Sequence, residues 1–381
     1  MSCWLPTSST AAPRPFKCPL VSCAMRRLRP RSAERALVGV RGARGASGLL
    51  LVGALVLGAC MAAHAADRAG AAALSAERAG PLPSDVAGWI ARVQHAALER
   101  SYTGTFVVVT DTGAASGSRI WHACQGDQHI ERIEALDGPS RTIFRRNGEM
   151  RTFFHASHTA VTEPLGSSVP FSGAVPALAS KLDLLYRAER QGRQRVAGHD
   201  ADVVLFQPRD GLRFGYRLWS EHGSGLVLRL QTVQVDGRVR EQASFVQLDL
   251  NASVSLAELS REMDDFSGYR TVAVAPERSL EDGERSWTLR EQVPGFVLQG
   301  CRAPQARPDT MQCSYSDGLA TVSLFFEPVH SGKPVPVVAR WSAGATQALA
   351  RPLDASTWLT AVGEVPPATL VQFANRLVRT R

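Results

Sequence analysis

Between Tyr102 and Leu250 apolar and polar residues alternate with a period of two, broken at short intervals by turn pairs. Leu212, Phe214, Tyr216 and Leu218 alternate with Arg213, Gly215, Arg217 and Trp219, and Leu226, Leu228 and Leu230 repeat the pattern. The turns carry Asp137-Gly138, Asn147-Gly148, Asp210-Gly211 and Asp236-Gly237, pairs that suit the tight turns of hairpins. The pattern predicts an antiparallel meander with one apolar face. Upstream, Val86, Trp89, Ile90, Val93 and Ala97 recur at helical spacing and predict a helix over Asp85 to Arg100, with Ser84 as its N-cap. A Pro-, Gly- and Ser-rich stretch, Thr159 to Pro176, reads as a long loop. Leu178, Leu182 and Leu185 then predict a second helix over Ala177 to Arg190. Two helices are too few to cover so broad a sheet, so a curved sheet with a partly lined apolar hollow is expected.

A second patterned region lies downstream. Met311 to Phe326 holds two β-prone runs around Asp317-Gly318 and predicts a hairpin. Gly363-Glu364-Val365-Pro366-Pro367 closes a strand and opens a helix whose Leu370, Phe373, Leu377 and Val378 share a face. Between the two regions, residues 263–284 are rich in Asp264, Asp265, Glu277, Glu281, Asp282 and Glu284 and read as a linker. The expected class is α+β: a large sheet domain over 85–262, then a small α+β domain over 285–381.

The N-terminus bears on the compartment. An Arg-rich segment precedes an apolar core, Leu49 to Ala59, too short to cross a bilayer as a mature helix, and a small-residue run, Cys60 to Ala66, follows. This order predicts a cleaved secretory leader over residues 1–66 and a flexible tail over 67–84, hence an exported protein. Leu57-Gly58-Ala59-Cys60 also fits a lipoprotein cleavage box, with Cys60 acylated, as the alternative. The leader holds nine of the 43 Lys and Arg and one of the 35 Asp and Glu, which leaves 34 of each sign in the mature chain. The formal charge of +8 therefore belongs to the leader, and the mature protein has no net field to draw nucleic acid.

Candidate chemistry is sparse. Four of the seven cysteines, Cys3, Cys18, Cys23 and Cys60, fall in the leader. Cys301 and Cys313 flank a polar loop between two predicted strands, and in an oxidising compartment they are expected to form a disulfide. Cys124 reads as a small apolar residue with no base beside it. His155 and His158, with His122 and His129 upstream, are the best metal candidates, but no Glu or Cys completes a shell. His199-Asp200 has no nucleophile elbow near it, and no phosphate-binding Gly-rich loop occurs. Neither an enzyme nor a cofactor is expected.

The residues then reach a resemblance. Trp89, Ser101 to Phe106, Ser118-Arg119-Ile120, Glu131-Arg132, Leu136-Asp137-Gly138, Arg195 to Gly198, Pro208-Arg209-Asp210 and Tyr216 to Trp219 resemble the RseB/MucB family of periplasmic sigma-E regulators. Pro294-Gly295-Phe296, Tyr315 to Leu319, Gly344-Ala345 and Gly363 to Pro366 extend it through the second region. His199 stands where the family pattern looks to have Arg, and Cys124, Cys301 and Cys313 are unusual for it.

That resemblance implies a large domain similar to the lipoprotein carriers LolA and LolB, an unclosed antiparallel β-barrel with helices in its concavity. It also implies binding to the periplasmic segment of a membrane-spanning anti-sigma factor of RseA or MucA type. The segment is thereby shielded from proteolysis until lipopolysaccharide or lipoprotein acyl chains release it. For acyl contact the expected residues are Phe106, Val108, Ile120, Phe144, Phe154, Leu182, Leu185 and Phe214; for the anti-sigma partner they are Tyr315, Asp317, Phe325, Arg351 and Glu364. Each acyl candidate is also compatible with ordinary core, and Asp317-Gly318 and Gly363 with plain turns. A homo-oligomer is left open. The alternative function is a periplasmic lipid or lipoprotein carrier with no regulatory partner, for which the second domain would be superfluous. An enzyme acting on the envelope would need His155, His158 or His199.

Overall fold

The computed structural model describes residues 81–164, 178, 181–274, 277–303, 309–329 and 338–380. The expected leader, Cys60 and most of the expected tail lie outside the described residues, as do residues 165–176 of the expected loop.

The chain opens with α1 (Val86–Glu99), which buries Val86, Trp89, Ile90, Val93 and Ala96 along one side. Its N-cap is Asp85, one residue beyond the expected Ser84: the carboxylate accepts the Gly88 N–H at 2.6 Å. A carboxylate there also meets the positive end of the helix.

A meander follows: β1 (Tyr102–Thr110), β2 (Ala115–Gln125), β3 (Gln128–Ala135), β4 (Arg141–Arg146), β5 (Glu149–Phe154) and β6 (Thr159–Pro164). The short helix α2 (Leu182–Leu185) leads into β7 (Tyr186–Val196), β8 (His199–Pro208), β9 (Gly215–Glu221), β10 (Val227–Val233) and β11 (Val239–Asp249). Then come α3 (Leu256–Asp264) and β12 (Arg270–Ala273). These strands form one twelve-stranded sheet in the order β12-β6-β5-β4-β3-β2-β1-β11-β10-β9-β8-β7. Every neighbouring pair is antiparallel except β12 with β6. The outermost strands β12 and β7 do not pair, so the sheet curls without closing, as the expected unclosed barrel requires.

Three expectations are corrected. Of the helix expected over 177–190, Leu178 and Leu182 to Leu185 are helical, and Tyr186 to Arg190 are strand. The apolar spacing ends at Leu185, and pairing with β8 overrides the helical propensity of Arg187-Ala188-Glu189-Arg190. Thr159 to Pro164, expected as loop, is β6, paired with β5. Not every helix lies in the concavity: α3 packs Leu259 and Met263 against Ala123, Ile130, Phe144 and Phe153. The ladders place Phe144 beside Arg132 and Trp121, on the opposite face from the Ile143, Ile133 and Ile120 row.

The expected linker, 263–284, holds the end of α3, then β12, then the two-residue β13 (Arg278–Ser279), which belongs to a second sheet. The remaining elements are β14 (Trp287–Leu289), β15 (Val297–Ala303), β16 (Met311–Ser316), β17 (Thr321–Pro328), β18 (Ala339–Ala343), β19 (Thr346–Pro352), β20 (Thr357–Gly363), α4 (Pro367–Arg376) and β21 (Leu377–Arg379). The second sheet has the order β13-β15-β16-β17-β20-β19-β18. Helix α4 covers part of one face, burying Leu370 and Phe373 with Phe296, Leu324, Phe326, Leu359 and Ala361. Leu377 and Val378, expected on the helix, are strand: β21 turns away to pair with β14.

Cys301 and Cys313 sit opposite each other on β15 and β16 and are disulfide-bonded, while Cys124 is free and half-buried, 3.8 Å from the Ser101 hydroxyl. The bridge closes a short loop in the unfolded chain. Replacing both Cys301 and Cys313 by Ser is expected to cost about 3 kcal/mol in denaturant unfolding, the chain-entropy value for a loop of this order. An unchanged midpoint would show that the bridge adds nothing beyond the strand pairing.

Candidate functional site at the domain junction

The two sheets meet at the tip of the hairpin that joins β16 to β17. There Asp317 is fully buried, and its carboxylate has four donors. Oδ1 accepts the N–H groups of Leu319 and Ala320, which makes the turn. Oδ2 reaches into the other domain and accepts Arg213 Nε at 2.8 Å and the Tyr186 hydroxyl at 2.9 Å. Arg213 is itself fully buried: its remaining nitrogens meet Asp210 and donate to the Pro294 carbonyl at 2.9 Å, and its guanidinium lies 5.2 Å from the Phe296 ring centre. Burial and the Asp317 carboxylate push the Tyr186 hydroxyl well above its ordinary range, so it stays a donor.

Glycine is required at two points of this contact. Gly318 has a φ of +105, and a Cβ there would stand 3.0 Å from Leu182. Gly295 has a φ of +80, and a Cβ would come within 2.5 Å of Arg213 and 2.8 Å of Leu185. The hairpin tip therefore rests on α2, and α2 rests on the concave face: Leu182 packs with Trp89, Ile90, Val204, Phe206 and Leu218. A further strut is the Thr369 hydroxyl, which donates to the Leu212 carbonyl at 2.7 Å.

A second contact involves the turn between β18 and β19. Glu241, buried on β11, accepts the Ala345 N–H at 3.4 Å, and a Cβ at Gly344 would collide with the same carboxylate. Burial and the neighbouring Glu364 push Glu241 up to about 8, and burial pushes Glu364 up to about 7. Arg240, beside Glu241 in sequence, is paired with Asp111 and does not neutralise it.

The concave face carries more than apolar side chains. Gly104, Ile120, Ile133 and Ile143 align across β1 to β4, and the next row is Tyr102, His122, Glu131 and Arg145. His122 stacks on Tyr102 at 5.1 Å, and His122 and Arg145 lie 3.5 and 3.4 Å from the Glu131 carboxylate. Burial alone would raise Glu131, but the adjacent His122 ring and Arg145 hold it below its ordinary range.

Of the expected acyl-contact residues, Phe106, Val108, Ile120 and Phe154 share the concave face by ladder parity. Val108 leads through Ala243 and Leu230 to Leu218, under α1. Leu182 is buried beneath the hairpin tip, Leu185 lies beside it, and Phe214 is buried just ahead of β9. Phe144 faces the other way, under α3. The five expected partner residues do not form one patch. Tyr315 is core, 5.2 Å from Phe373, and Asp317 is enclosed in the junction. Glu364 lies at the junction, Phe325 is half-buried and points away from the α4 side, and Arg351 lies beside α4.

Sequence reasoning missed Tyr186, Arg213, Glu241 and the Glu131 row as site residues. Arg213 left one signal, a charge in an otherwise apolar stretch between Leu212 and Phe214. His155 is held by Thr142 at 2.9 Å and Tyr269 at 2.6 Å, and among the described residues no group of three His, Cys, Asp or Glu is placed for a metal.

Asp317→Ala would strand a buried guanidinium and is expected to cost roughly 3–5 kcal/mol in chemical denaturation. The double variant Arg213→Met with Asp317→Leu should recover a large part of that. A loss below about 1 kcal/mol for Asp317→Ala, the range of an exposed ion pair, would mean that the pair is not shut off from water. The carboxylates give a pH test. Both folded pKa values lie above the ordinary 4.5, so the folded state binds the extra protons. Their contribution is complete below that value and is lost as pH rises through about 7 to 8. The melting temperature should fall between pH 5.5 and 8.5, and Glu241→Gln with Glu364→Gln should flatten the fall; an equal slope in the variant would contradict it.

Comparison with known proteins places this architecture. The model of the MucB/RseB N-terminal domain matches residues 85–263, and that of the MucB/RseB C-terminal domain matches residues 281–378. The sigma factor AlgU regulatory protein MucB of Pseudomonas aeruginosa is 29% identical over 303 residues, covering 76% of this chain and 90% of MucB. The sigma-E factor regulatory protein RseB of Escherichia coli K12 is 25% identical over 296 residues, covering 73% of this chain and 85% of RseB. A crystal structure of MucB in complex with MucA(peri) superposes with a TM-score of 0.59 at 26% identity, covering 77% of this chain and 98% of that one. With two consecutive domain models matched along most of its length, the chain belongs to the MucB/RseB family of sigma factor regulatory proteins.

Proposed function

We propose that this protein is an exported regulator that binds the periplasmic segment of a membrane anti-sigma factor, shields it from proteolysis, and releases it when an acylated envelope component enters the concave face. The support for the partner is the likeness to MucB, which has been crystallised with MucA(peri). The observation that carries the release step is the buried Arg213–Asp317–Tyr186 contact, because it ties the small domain to the wall of the hollow.

The chain of contacts is short. An acyl chain lying along Phe106, Val108, Ile120 and Phe154 and reaching under α1 competes with Leu182 and Leu185 for the same apolar surface. Displacing α2 removes the seat of Gly318 and draws Asp317 from Arg213. Two buried charges parted without new partners are costly, so the domains separate as a unit rather than stretch. The lipid must then bind the separated form more tightly than the docked one; moving the population from 1:99 to 99:1 takes about 5.5 kcal/mol of such difference. A lipopolysaccharide or lipoprotein acyl group supplies that range, since each buried methylene contributes about 0.8 kcal/mol. The role needs no reaction and no cofactor.

Residues 67–381 should bind the periplasmic segment of the host's own anti-sigma factor, and an N-palmitoylated lipopeptide should release it. Phe106→Asp should leave partner binding intact and blunt the release by tenfold or more in lipopeptide concentration, as a charge in an apolar lining must. Absence of partner binding, with lipid co-purifying, would instead mark a lipid carrier.

A further inference from the structure

The small domain has one sheet edge of a different kind from the others. Of the four edges of the two large sheets, three are short or blunted. β12 and β13 have four and two residues, and β7 is rich in charge and broken by a bulge between Arg190 and Arg193. β18 offers five residues of strand at the end of the sheet order, with no further strand beyond it among the described residues. The sheet also outruns its helix there: α4 lies over β19 and β20, and β18 overhangs beyond it. The overhang leaves a recess of about 250 Å³ lined by Val338, Arg340, Leu349, Arg351, Pro352 and Val371. Its floor is apolar and its rim carries two arginines. Arg351 is oriented by a bond to Asn375 at 2.9 Å, and among the described residues neither arginine has a carboxylate partner.

We propose that an extended stretch of the anti-sigma factor's periplasmic segment adds to β18 as an eighth strand, setting one apolar side chain in this recess and a carboxylate against Arg340 and Arg351. This rests on the reading above that such a segment is the partner. Strand addition supplies main-chain hydrogen bonds, and because side chains alternate along the added strand, every second one faces the recess. The charge of the occupant follows from two positive groups with no carboxylate partner among the described residues. The place is also distinct from the acyl-contact face, so partner and lipid can be bound at once and act on each other through the junction.

The test uses residues 67–381, the partner's periplasmic segment, and Arg340→Glu, an exposed position whose melting temperature should not move. The variant should bind roughly tenfold more weakly at low salt, with a smaller difference at high salt. A photo-crosslinking side chain at Ser342 should capture the segment, and the same group at Asn147 should not. Parent-like affinity in Arg340→Glu together with no capture at Ser342 would overturn the site while leaving the partner reading intact. Failure of the parent to bind the segment would overturn both. If light scattering instead shows a dimer that Arg340→Glu dissolves, the edge is an interface between copies of this chain.

Discussion

The Asp317 carboxylate is the point at which the two domains depend on each other. One of its oxygens builds the hairpin turn of the small domain, and the other binds Arg213 and Tyr186 of the large one. A charge pair with both members fully buried is an uncertain source of stability, since desolvation offsets most of the attraction. What it gives is discreteness: the contact is either made with every donor satisfied or broken at high cost, with little between. A regulator that must hold a partner firmly and then let it go needs a contact with that shape.

The large sheet supplies the surface on which a lipid could act. Because β7 and β12 do not meet, the concave face is not sealed by strand pairing and must be covered by α1, α2 and the incoming hairpin. Of those covers α2 is the short one, with four residues from Leu182 to Leu185. The second junction contact, at Glu241 and Glu364, brings two acidic groups together across the interface and makes docking more favourable when they are protonated. The buried Tyr102, His122, Glu131 and Arg145 row gives the hollow a polar stripe beside its isoleucines, so the face offers hydrogen bonds as well as grease.

The meander, its apolar face and the small sheet with its late helix were legible because period-two alternation and Asp-Gly turns are local signals. The cross-strand cysteines were placed by the strands around them. Boundaries were lost where tertiary pairing outweighs propensity: Tyr186 to Arg190 joins β8, and Leu377 joins β14. α3 went unread because its burial depends on the outer face of the sheet, and nothing local shows that a sheet is covered on both sides. The candidate site was legible only in its lining. Asp317 was noticed as a turn residue, and its second role required knowing that Arg213, more than a hundred positions earlier, lies opposite it. Asp317 and Tyr315 are both buried in this structure.

The central claim is that acyl binding parts the two domains by breaking the Arg213–Asp317 contact. Spin labels at Leu136 and Glu291, both exposed and on different domains, in a Cys124→Ser background, would report the separation directly. One narrow distance is predicted for the free protein, joined by a longer one on addition of an N-palmitoylated lipopeptide, with Asp317→Ala showing the longer distance without lipid. Lipopeptide that binds and frees the anti-sigma segment while the distance stays unchanged would contradict it.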